Sequence, residues 1–131
     1  MKILMLGCGN ANFSADIYDH GFRNITNVDF SEVVINQMAQ KNAKTRPEMT
    51  WQVADVTNMS SFEKTTFDLV IDKSTIDCLF CSENYMTKVA SVLKDIQRVL
   101  KIGGHYFGIS MEQPKHRLSH FRSEFLSWDC K

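Results

Sequence analysis

Residues 1–30, MKILMLGCGN ANFSADIYDH GFRNITNVDF, decide the fold of this chain. An apolar run at positions 3–6 leads directly into Gly7-Cys8-Gly9, residues 13–20 are compatible with a helix that Gly21 can end, and residues 24–28 predict a second strand that stops at Asp29. A strand, glycine turn, helix, strand and acidic residue in this order are how an open α/β sheet makes a nucleotide site. The glycines let the backbone approach a ligand, and a carboxylate about 20 residues on can accept both ribose hydroxyls. The chain is therefore predicted to bind an adenosine-containing cofactor.

Size and composition narrow the class of protein. At 131 residues with 44% apolar residues, the chain is predicted to form one domain with a sizeable core. Its 15 basic and 15 acidic residues cancel, which argues against a nucleic-acid partner. No apolar run approaches the roughly 20 residues of a membrane span, and we expect no signal peptide before the first strand. Four cysteines, at 8, 78, 81 and 130, are then most simply reduced thiols in a cytoplasmic protein.

Strands and helices alternate along the rest of the chain. Ser31 is the predicted N-cap of an amphipathic helix that residues 46–48 break, and Ser74 with Asp77 approximates a capping box. Further strands are predicted at 49–54, 67–71 and 105–110, a long helix at 84–101 that Gly103-Gly104 stops, a short helix at 121–126 and the start of a strand at 128–131. The alternation predicts a Rossmann-like, doubly wound, mainly parallel α/β sheet.

Ligands in such sheets bind at the carboxyl ends of the strands. Here those ends carry the glycine turn and Asp29, Asp55 and Asp72, which predicts a single rim. A dinucleotide fingerprint has a third glycine where this chain has Asn12, which weakens the case for a pyrophosphate ligand. S-adenosylmethionine carries no phosphate, and it needs glycines, a ribose carboxylate (Asp29) and an acceptor near the adenine amino group (Asp55, with the Val56 N–H).

The chain resembles a known family in five motifs: LGCGN at 6–10, ITNVDFS at 25–31, VVINQM at 33–38, RPEM at 46–49 and FDLVIDKSTID at 67–77. The pattern is similar to the class I S-adenosylmethionine-dependent methyltransferases. Within them it resembles the lysine methyltransferases of translation elongation factor one-alpha and the methyltransferase domain found beside endothelin-converting enzyme. The resemblance covers residues 3 to about 128. It implies a methyltransferase acting on a lysine amine of a protein, with S-adenosylmethionine as cofactor and an elongation factor as the expected partner.

The predicted site combines the rim with the segment after the fourth strand. The expected cofactor-binding residues are Gly7, Cys8, Gly9, Asn10, Asp29, Phe30, Asp55, Val56 and Asp72. Asp72 is also the predicted catalytic residue, because a carboxylate beside a lysine substrate attracts the ammonium and then orients the free amine. The alternative for Asp55 is a loop cap, and for Asp77 a structural role. No chemistry is assigned to the Cys8 thiol.

The expected substrate-binding residues are Thr75, Gln113 and His116, and the resemblance places the segment around Gln113, His116 and Arg117 beside the acceptor pocket. A solvated polar loop is the alternative for that segment. Cys78 and Cys81 have no second cysteine pair at zinc-site spacing, so no metal is predicted, and the apolar residues between them suit a buried helix turn.

Relative to the resembled family, residues 1–131 are expected to be one methyltransferase domain that is incomplete at both ends and lacks the C-terminal antiparallel strands. An uncovered fifth strand would then be an exposed sheet edge, which predicts either a truncation or a homodimer through that edge. Competing functions remain open from the residues. They are a methyltransferase of small molecules or other residue types, a non-catalytic module of the same fold, and a nicotinamide oxidoreductase. Tyr85 and Lys88 are three positions apart rather than the four of a reductase pair, which disfavours the last.

Overall fold

A computed structural model describes residues 1–131. The chain forms, in order, β1 (Lys2–Leu6), α1 (Phe13–Asp19), β2 (Asn24–Asp29), α2 (Glu32–Asn42), β3 (Thr50–Val53), β4 (Phe67–Lys73), α3 (Thr75–Phe80), α4 (Tyr85–Val99), β5 (Leu100–Ile109) and α5 (Pro114–Phe121). No helix has the length and apolar character that crossing a lipid bilayer requires.

The five strands form one sheet in the order β3-β2-β1-β4-β5, and every strand pair is parallel. The chain builds outward from β1 to β3 on one side and then returns to add β4 and β5 on the other. The predicted parallel α/β sheet is confirmed. β5 forms one edge of the sheet, with no further strand beside it.

Side chains of β1 alternate between the two faces of the sheet, as the period of a strand requires. Ile3 and Met5 pack with Tyr18 of α1 on one face, whereas Leu4 and Leu6 pack against α4 on the other. The α4 residues predicted as an apolar stripe are fully buried there, at Val89, Val92, Leu93, Ile96 and Val99. Each buried side chain of this size contributes about 1.5–3 kcal/mol, so this face is the main core of the domain.

Local signals set the first two helices. Gly21, at φ +104°, follows α1 and donates its N–H to the Tyr18 carbonyl at 2.9 Å, which ends the helix as predicted. The Ser31 hydroxyl accepts the Val34 N–H at 3.3 Å, so the predicted N-cap of α2 is confirmed.

The boundary between α4 and β5 differs from the prediction. The helix ends at Val99, and β5 begins at once with the buried Leu100, which pairs with Phe67 of β4. Gly103, at φ +79°, and Gly104 lie inside the strand, where the register to β4 shifts between Phe67 and Leu69. The two glycines therefore form a bulge rather than a helix stop, because strand pairing of Leu100 outweighs two more residues of helix.

The C-terminal segment also differs from the prediction. The helix lies earlier, at Pro114–Phe121, with the proline in its first turn, where a missing N–H costs nothing. No strand forms at residues 128–131. Instead, the Trp128 ring stacks on Tyr106, and its indole N–H donates to the Phe121 carbonyl at 2.8 Å. The partly buried Trp128 thus packs against β5 and α5, and the segment does not extend the sheet.

Candidate functional site

The structure brings the predicted rim together. Leu6 at the end of β1 pairs with Val28 of β2 on one side and with Asp72 of β4 on the other. The glycine turn that follows β1 therefore lies between Asp29 and Asp72. This is the point where the strand order reverses, and open α/β sheets bind their ligands there.

The two glycines of the turn, both at φ +55°, have different surroundings. A Cβ on Gly7 would lie 2.1 Å from the Thr75 hydroxyl oxygen, which itself donates to the Leu6 carbonyl at 3.0 Å. Gly7 thus joins β1 to α3. A Cβ on Gly9 would meet no atom within 4 Å. The open backbone that a ligand can approach is consequently at Gly9, with Asn10 next to it.

Asp29 is buried at 8% exposure and holds the turn in place. One carboxylate oxygen accepts the Gly9 N–H at 3.0 Å, and the other accepts the Ser31 N–H at 3.0 Å. A carboxylate has about four acceptor positions, so Asp29 keeps capacity for the two hydroxyls of a ribose. Phe30 follows with 82% of its surface exposed, beside the rim.

Asp55 and Val56 lie in the loop after β3. One Asp55 oxygen accepts the Thr57 N–H at 2.8 Å and the Thr57 hydroxyl at 2.7 Å, so this exposed carboxylate caps its own loop. The Val56 side chain is buried in the core, whereas its N–H makes no hydrogen bond within the chain. The Asp55 loop is tied to the rim because the Ala54 N–H donates to the Asp29 carbonyl at 2.9 Å.

Asp72 is the most buried carboxylate of the rim, at 3% exposure. It accepts the Thr75 N–H at 2.7 Å, the Ile76 N–H at 3.3 Å and the Tyr106 hydroxyl at 3.2 Å. Burial raises the pKa of Asp72 above its ordinary value, and these hydrogen bonds oppose the rise. The carboxylate therefore lies at the N-terminus of α3, where the helix dipole favours negative charge.

The predicted capping box at Ser74 is wrong. Ser74 lies in the left-handed region at φ +66°, and its side chain makes no cap hydrogen bond, because Asp72 already accepts the first amides of α3. Thr75 is held by its own bonds to β1 and Asp72, which gives it a structural role beside its predicted place in the substrate set.

Asp77 ties α3 to the turn after β5. It accepts the Ser110 hydroxyl at 2.6 Å and the Met111 N–H at 2.8 Å, and the Arg117 guanidinium lies 3.6 Å away. Partial burial by itself raises the pKa of Asp77, but these donors and the Arg117 charge outweigh it and hold the pKa below its usual range. The structural alternative for Asp77 is what the geometry shows.

The segment around α5 divides into an inner and an outer face. Arg117 points inward, with its guanidinium carbon 3.8 Å from the centre of the Phe80 ring and its Nε buried without a hydrogen bond. Gln113 precedes the helix and is exposed, and His116 pairs on the surface with Glu112 at 2.8 Å. The structure thus brings Arg117 to Asp77 and leaves the other two residues at the solvent surface.

All four cysteines are free thiols. Burial, with the Asp29 charge nearby, raises the pKa of the Cys8 thiol to about 12, so the thiol stays protonated at neutral pH. Cys78 and Cys81 lie on the predicted helical turn, but both are exposed. Leu79 and Phe80, the apolar residues between them, are partly buried and pack against the core, so the turn is buried on that side only.

Two cavities border the rim. A cleft of about 190 Å³ lies at the glycine turn and is lined also by Phe13, Ser14 and Lys73. A larger groove of about 1110 Å³ runs along β5 past Asp72, Tyr106 and Arg117. Sequence reasoning missed Tyr106. The one signal for it is the spacing between Tyr106 and Gly108. Gly108 pairs with Asp72, and side chains two residues apart lie on the same face of a strand.

Comparison with known sequences gives a family and several relatives. Residues 1–128 match a family described as "Methyltransferase domain". An "eEF1A lysine and N-terminal methyltransferase homolog" of Drosophila melanogaster is 44% identical over 127 residues, which are 95% of this chain and 18% of that protein. The human "eEF1A lysine and N-terminal methyltransferase" is 41% identical over 128 residues, 94% of this chain and 18% of its own length.

A solved structure shares the fold. The S-adenosylmethionine-dependent methyltransferase of Mesorhizobium loti superposes with a TM-score of 0.65 at 25% sequence identity. The superposition covers 80% of this chain and 44% of that one.

Proposed function

The chain belongs to the methyltransferase domain family, and from that premise we propose that it transfers a methyl group from S-adenosylmethionine to a lysine amine of a protein. The resemblance to the class I S-adenosylmethionine-dependent methyltransferases is confirmed. The chain spans 18% of the length of the two curated relatives, so their activities and substrates enter here as proposals.

The observation that carries the proposal is the meeting of three features at one rim. These are the open backbone at Gly9, the buried carboxylate of Asp29 and the buried carboxylate of Asp72. The turn carries no basic side chain, and Lys73 is the only cation that borders its cleft. A cofactor without phosphates fits such a site better than a dinucleotide.

The residues fit S-adenosylmethionine as follows. Asp29 would accept the ribose hydroxyls. The second Asp55 oxygen would accept from the adenine amino group, and the free Val56 N–H would donate to the adenine. Phe30 offers an exposed ring beside it. Gly7, Cys8, Gly9 and Asn10 would border the methionine part with their backbone. The bound cofactor supplies a methyl carbon on a sulfonium sulfur.

Asp72 is the proposed catalytic residue. It lines the larger groove, through which an amine can approach, and its carboxylate is fixed by three donors. A fixed carboxylate attracts an ammonium group and then holds the free amine in one direction, and the transfer gains most from such positioning. Removal of the acceptor lysine from water lowers its pKa, which favours the nucleophilic free amine.

The acceptor is proposed to be an elongation factor of the one-alpha type, with Thr75, Gln113 and His116 contacting it. The support is that the two relatives are named as lysine and N-terminal methyltransferases of that factor. Both acceptors are amines, so the chemistry at Asp72 is the same for either. We propose the lysine, as the resemblance in the sequence motifs implies.

Two measurements test this function in order. Calorimetric titration with S-adenosylmethionine should give a saturable heat, and NAD should give none. If neither ligand binds, the enzymatic proposal fails. Purified elongation factor with labelled cofactor should then gain label, and mass spectrometry of the product should place the methyl group on a lysine. Label on the N-terminal amine, or only on small molecules of an extract, would replace the lysine proposal by that acceptor.

We also propose a cytoplasmic protein that forms a homodimer through β5. The edge strand exposes Ile102 completely and Phe107 by 56%, and no strand pairs with it on the side away from β4. Four free thiols suit a reducing compartment. Light scattering should give twice the mass of the chain, and Ile102→Lys should return the monomer. A wild-type monomer at high concentration would exclude the dimer.

A further inference from the structure

The Tyr106 side chain lies along β5 and points toward the rim, instead of projecting straight out from the sheet. Tyr106 pairs with Val70, and Gly108 pairs with Asp72, two residues further along both strands. The Tyr106 hydroxyl nevertheless reaches Asp72 and donates to Oδ2 at 3.2 Å. Two residues of strand span about 6.6 Å, so the whole length of the phenol is used to cover this distance.

Gly108 provides the space for that path. A Cβ at position 108 would lie 2.8 Å from the Tyr106 hydroxyl oxygen and 3.1 Å from the ring carbon that bears it. Any other residue at 108 would therefore force the hydroxyl away from Asp72. The conformation of Tyr106 depends on the absence of a side chain beside it.

Two aromatic rings of the C-terminal segment hold the phenol in this path. Phe121 stacks on Tyr106 with ring centres 5.8 Å apart, and Trp128 stacks with centres 5.7 Å apart and planes 12° apart. The Trp128 indole N–H donates to the Phe121 carbonyl at 2.8 Å, which links the two stacking residues to each other. The position of the hydroxyl is thus fixed from the ring side as well.

We propose that Tyr106 is a positioning residue that orients the Asp72 carboxylate toward the incoming amine. The amides of Thr75 and Ile76 hold Asp72 from α3, and the Tyr106 hydroxyl holds it from β5, so the carboxylate cannot rotate between the two elements. The proposal rests on the proposed function, because it assigns Asp72 to the transfer step. A tyrosine that only fills the core would not need a hydroxyl at this place.

The hydroxyl is a donor throughout the working range of pH. Burial, with the nearby Asp72 charge, raises the pKa of Tyr106 above its ordinary value, so the phenol stays protonated. The other charged groups close to it are Asp77 on α3 and Arg117 on α5, which face each other at 3.6 Å. Loss of the Tyr106 hydroxyl should therefore be felt mainly by Asp72, whose ionised form loses a donor.

The test compares Tyr106→Phe with Tyr85→Phe in the full chain. The first variant removes only the hydroxyl and keeps the ring stack. The second removes a tyrosine hydroxyl that makes no hydrogen bond, from a residue that also lies in an aromatic cluster. Carbon NMR of the Asp72 carboxyl gives its titration, and methyl transfer gives kcat and KM. Thermal unfolding of both variants checks that the fold is kept.

We expect the Asp72 titration to move upward in Tyr106→Phe, with kcat falling roughly tenfold and the KM for S-adenosylmethionine little changed. Tyr85→Phe should leave all three unchanged. Gly108→Ala should reproduce the effects of Tyr106→Phe, because it displaces the same hydroxyl. In an Asp72→Asn background, Tyr106→Phe should lower the residual kcat no further.

An unchanged Asp72 titration and kcat in Tyr106→Phe, with methyl transfer intact in the wild type, would overturn the role of Tyr106 alone. Absence of methyl transfer in the wild type would instead overturn the proposed function, while the titration would still show whether the hydroxyl holds the carboxylate. An equal loss of kcat in Tyr85→Phe would reduce the effect to general aromatic packing and also overturn the proposal.

Discussion

The rim has a glycine-turn end, at Asp29, and an α3 end, at Asp72 and Asp77. The two ends differ in how far along the chain the hydrogen-bond donors to their carboxylates lie. Asp29 accepts N–H groups from Gly9 and Ser31, which are 20 and 2 residues away. Asp72 accepts from a tyrosine 34 residues away, and Asp77 accepts from Ser110, 33 residues away. The glycine-turn end is therefore complete within one βαβ unit. The α3 end has local donors to Asp72 from Thr75 and Ile76, but it gains its Tyr106 and Ser110 donors only after β5 has paired with β4. The motifs therefore predict the whole of the first end, but in the second end they predict only the position of Asp72 and not its contacts with β5.

The largest effect on cofactor affinity should come from removing the Asp29 carboxylate of the glycine-turn end. Asp29→Ala should weaken S-adenosylmethionine binding by roughly a hundredfold or more, because it removes a charged acceptor of two hydroxyls. Calorimetry measures this, with Asp29→Asn as the variant that keeps the shape. Asp55→Ala is the matched control and should cost less than about tenfold, since that carboxylate is exposed and caps its own loop. Equal losses for both would remove the distinction between the two acceptors.

The two glycines separate the structural from the ligand-facing part of the turn. Gly7→Ala should lower the free energy of unfolding by about 3 kcal/mol, because a methyl group there meets the Thr75 side chain in addition to the cost of positive φ. Gly9→Ala should cost only about 1 kcal/mol, the penalty of φ alone.

Urea unfolding gives both values, and cofactor titration should show that Gly9→Ala still loses affinity although it remains folded. A Gly7→Ala variant as stable as Gly9→Ala would show that Thr75 can move aside, and the junction between β1 and α3 would then be looser than the structure indicates.

The contribution of Asp77, at the α3 end, to the stability of the fold should depend on pH. The pKa of folded Asp77 lies below its unfolded value near 3.8, so this group stabilises the fold above that pH and loses its contribution as the pH falls through the folded pKa. The thermal midpoint of the wild type should exceed that of Asp77→Asn by a few degrees at neutral pH. The difference should shrink in acid. A difference that does not depend on pH would mean that shape rather than charge holds Asp77.

The smallest effect concerns backbone strain at the start of α3. Ser74 adopts φ +66° without a side-chain hydrogen bond, whereas Asn84 adopts φ +55°, a conformation that asparagine tolerates. Ser74→Gly should therefore stabilise the protein by about 0.5 kcal/mol, and Asn84→Gly should change the stability little. Chemical unfolding of both variants measures the difference. Destabilisation by Ser74→Gly would show that the serine hydroxyl has a role at the rim.

The sequence predicts structure correctly where the residues of one segment determine its conformation. The N-cap at Ser31, the helix end at Gly21 and the buried stripe of α4 all follow from spacing and residue type, and each is confirmed. It failed where a local signal competed with pairing elsewhere. Gly103 and Gly104 predict a helix stop, but the helix ends before them because Leu100 pairs with Phe67 of β4.

The candidate site divides in the same manner. Asp29, the glycine turn and Asp72 could be placed on one rim because parallel strands end at the same edge of a sheet. The sequence could not show that Asp72, rather than Ser74, caps α3, or that Arg117 turns inward while His116 stays outside. Those outcomes depend on how side chains from distant segments pack together in the folded chain.

The sequence by itself determined the parallel α/β sheet, the glycine turn and the carboxylate that faces it, because these lie in one short unit whose backbone geometry is local. Only the tertiary structure decided how Asp72 is held. Its third donor, Tyr106, depends on an empty position at Gly108 and on stacking by Phe121 and Trp128, from three segments that meet when β5 pairs with β4. Contacts between residues so far apart in the chain leave no periodicity or spacing in the sequence.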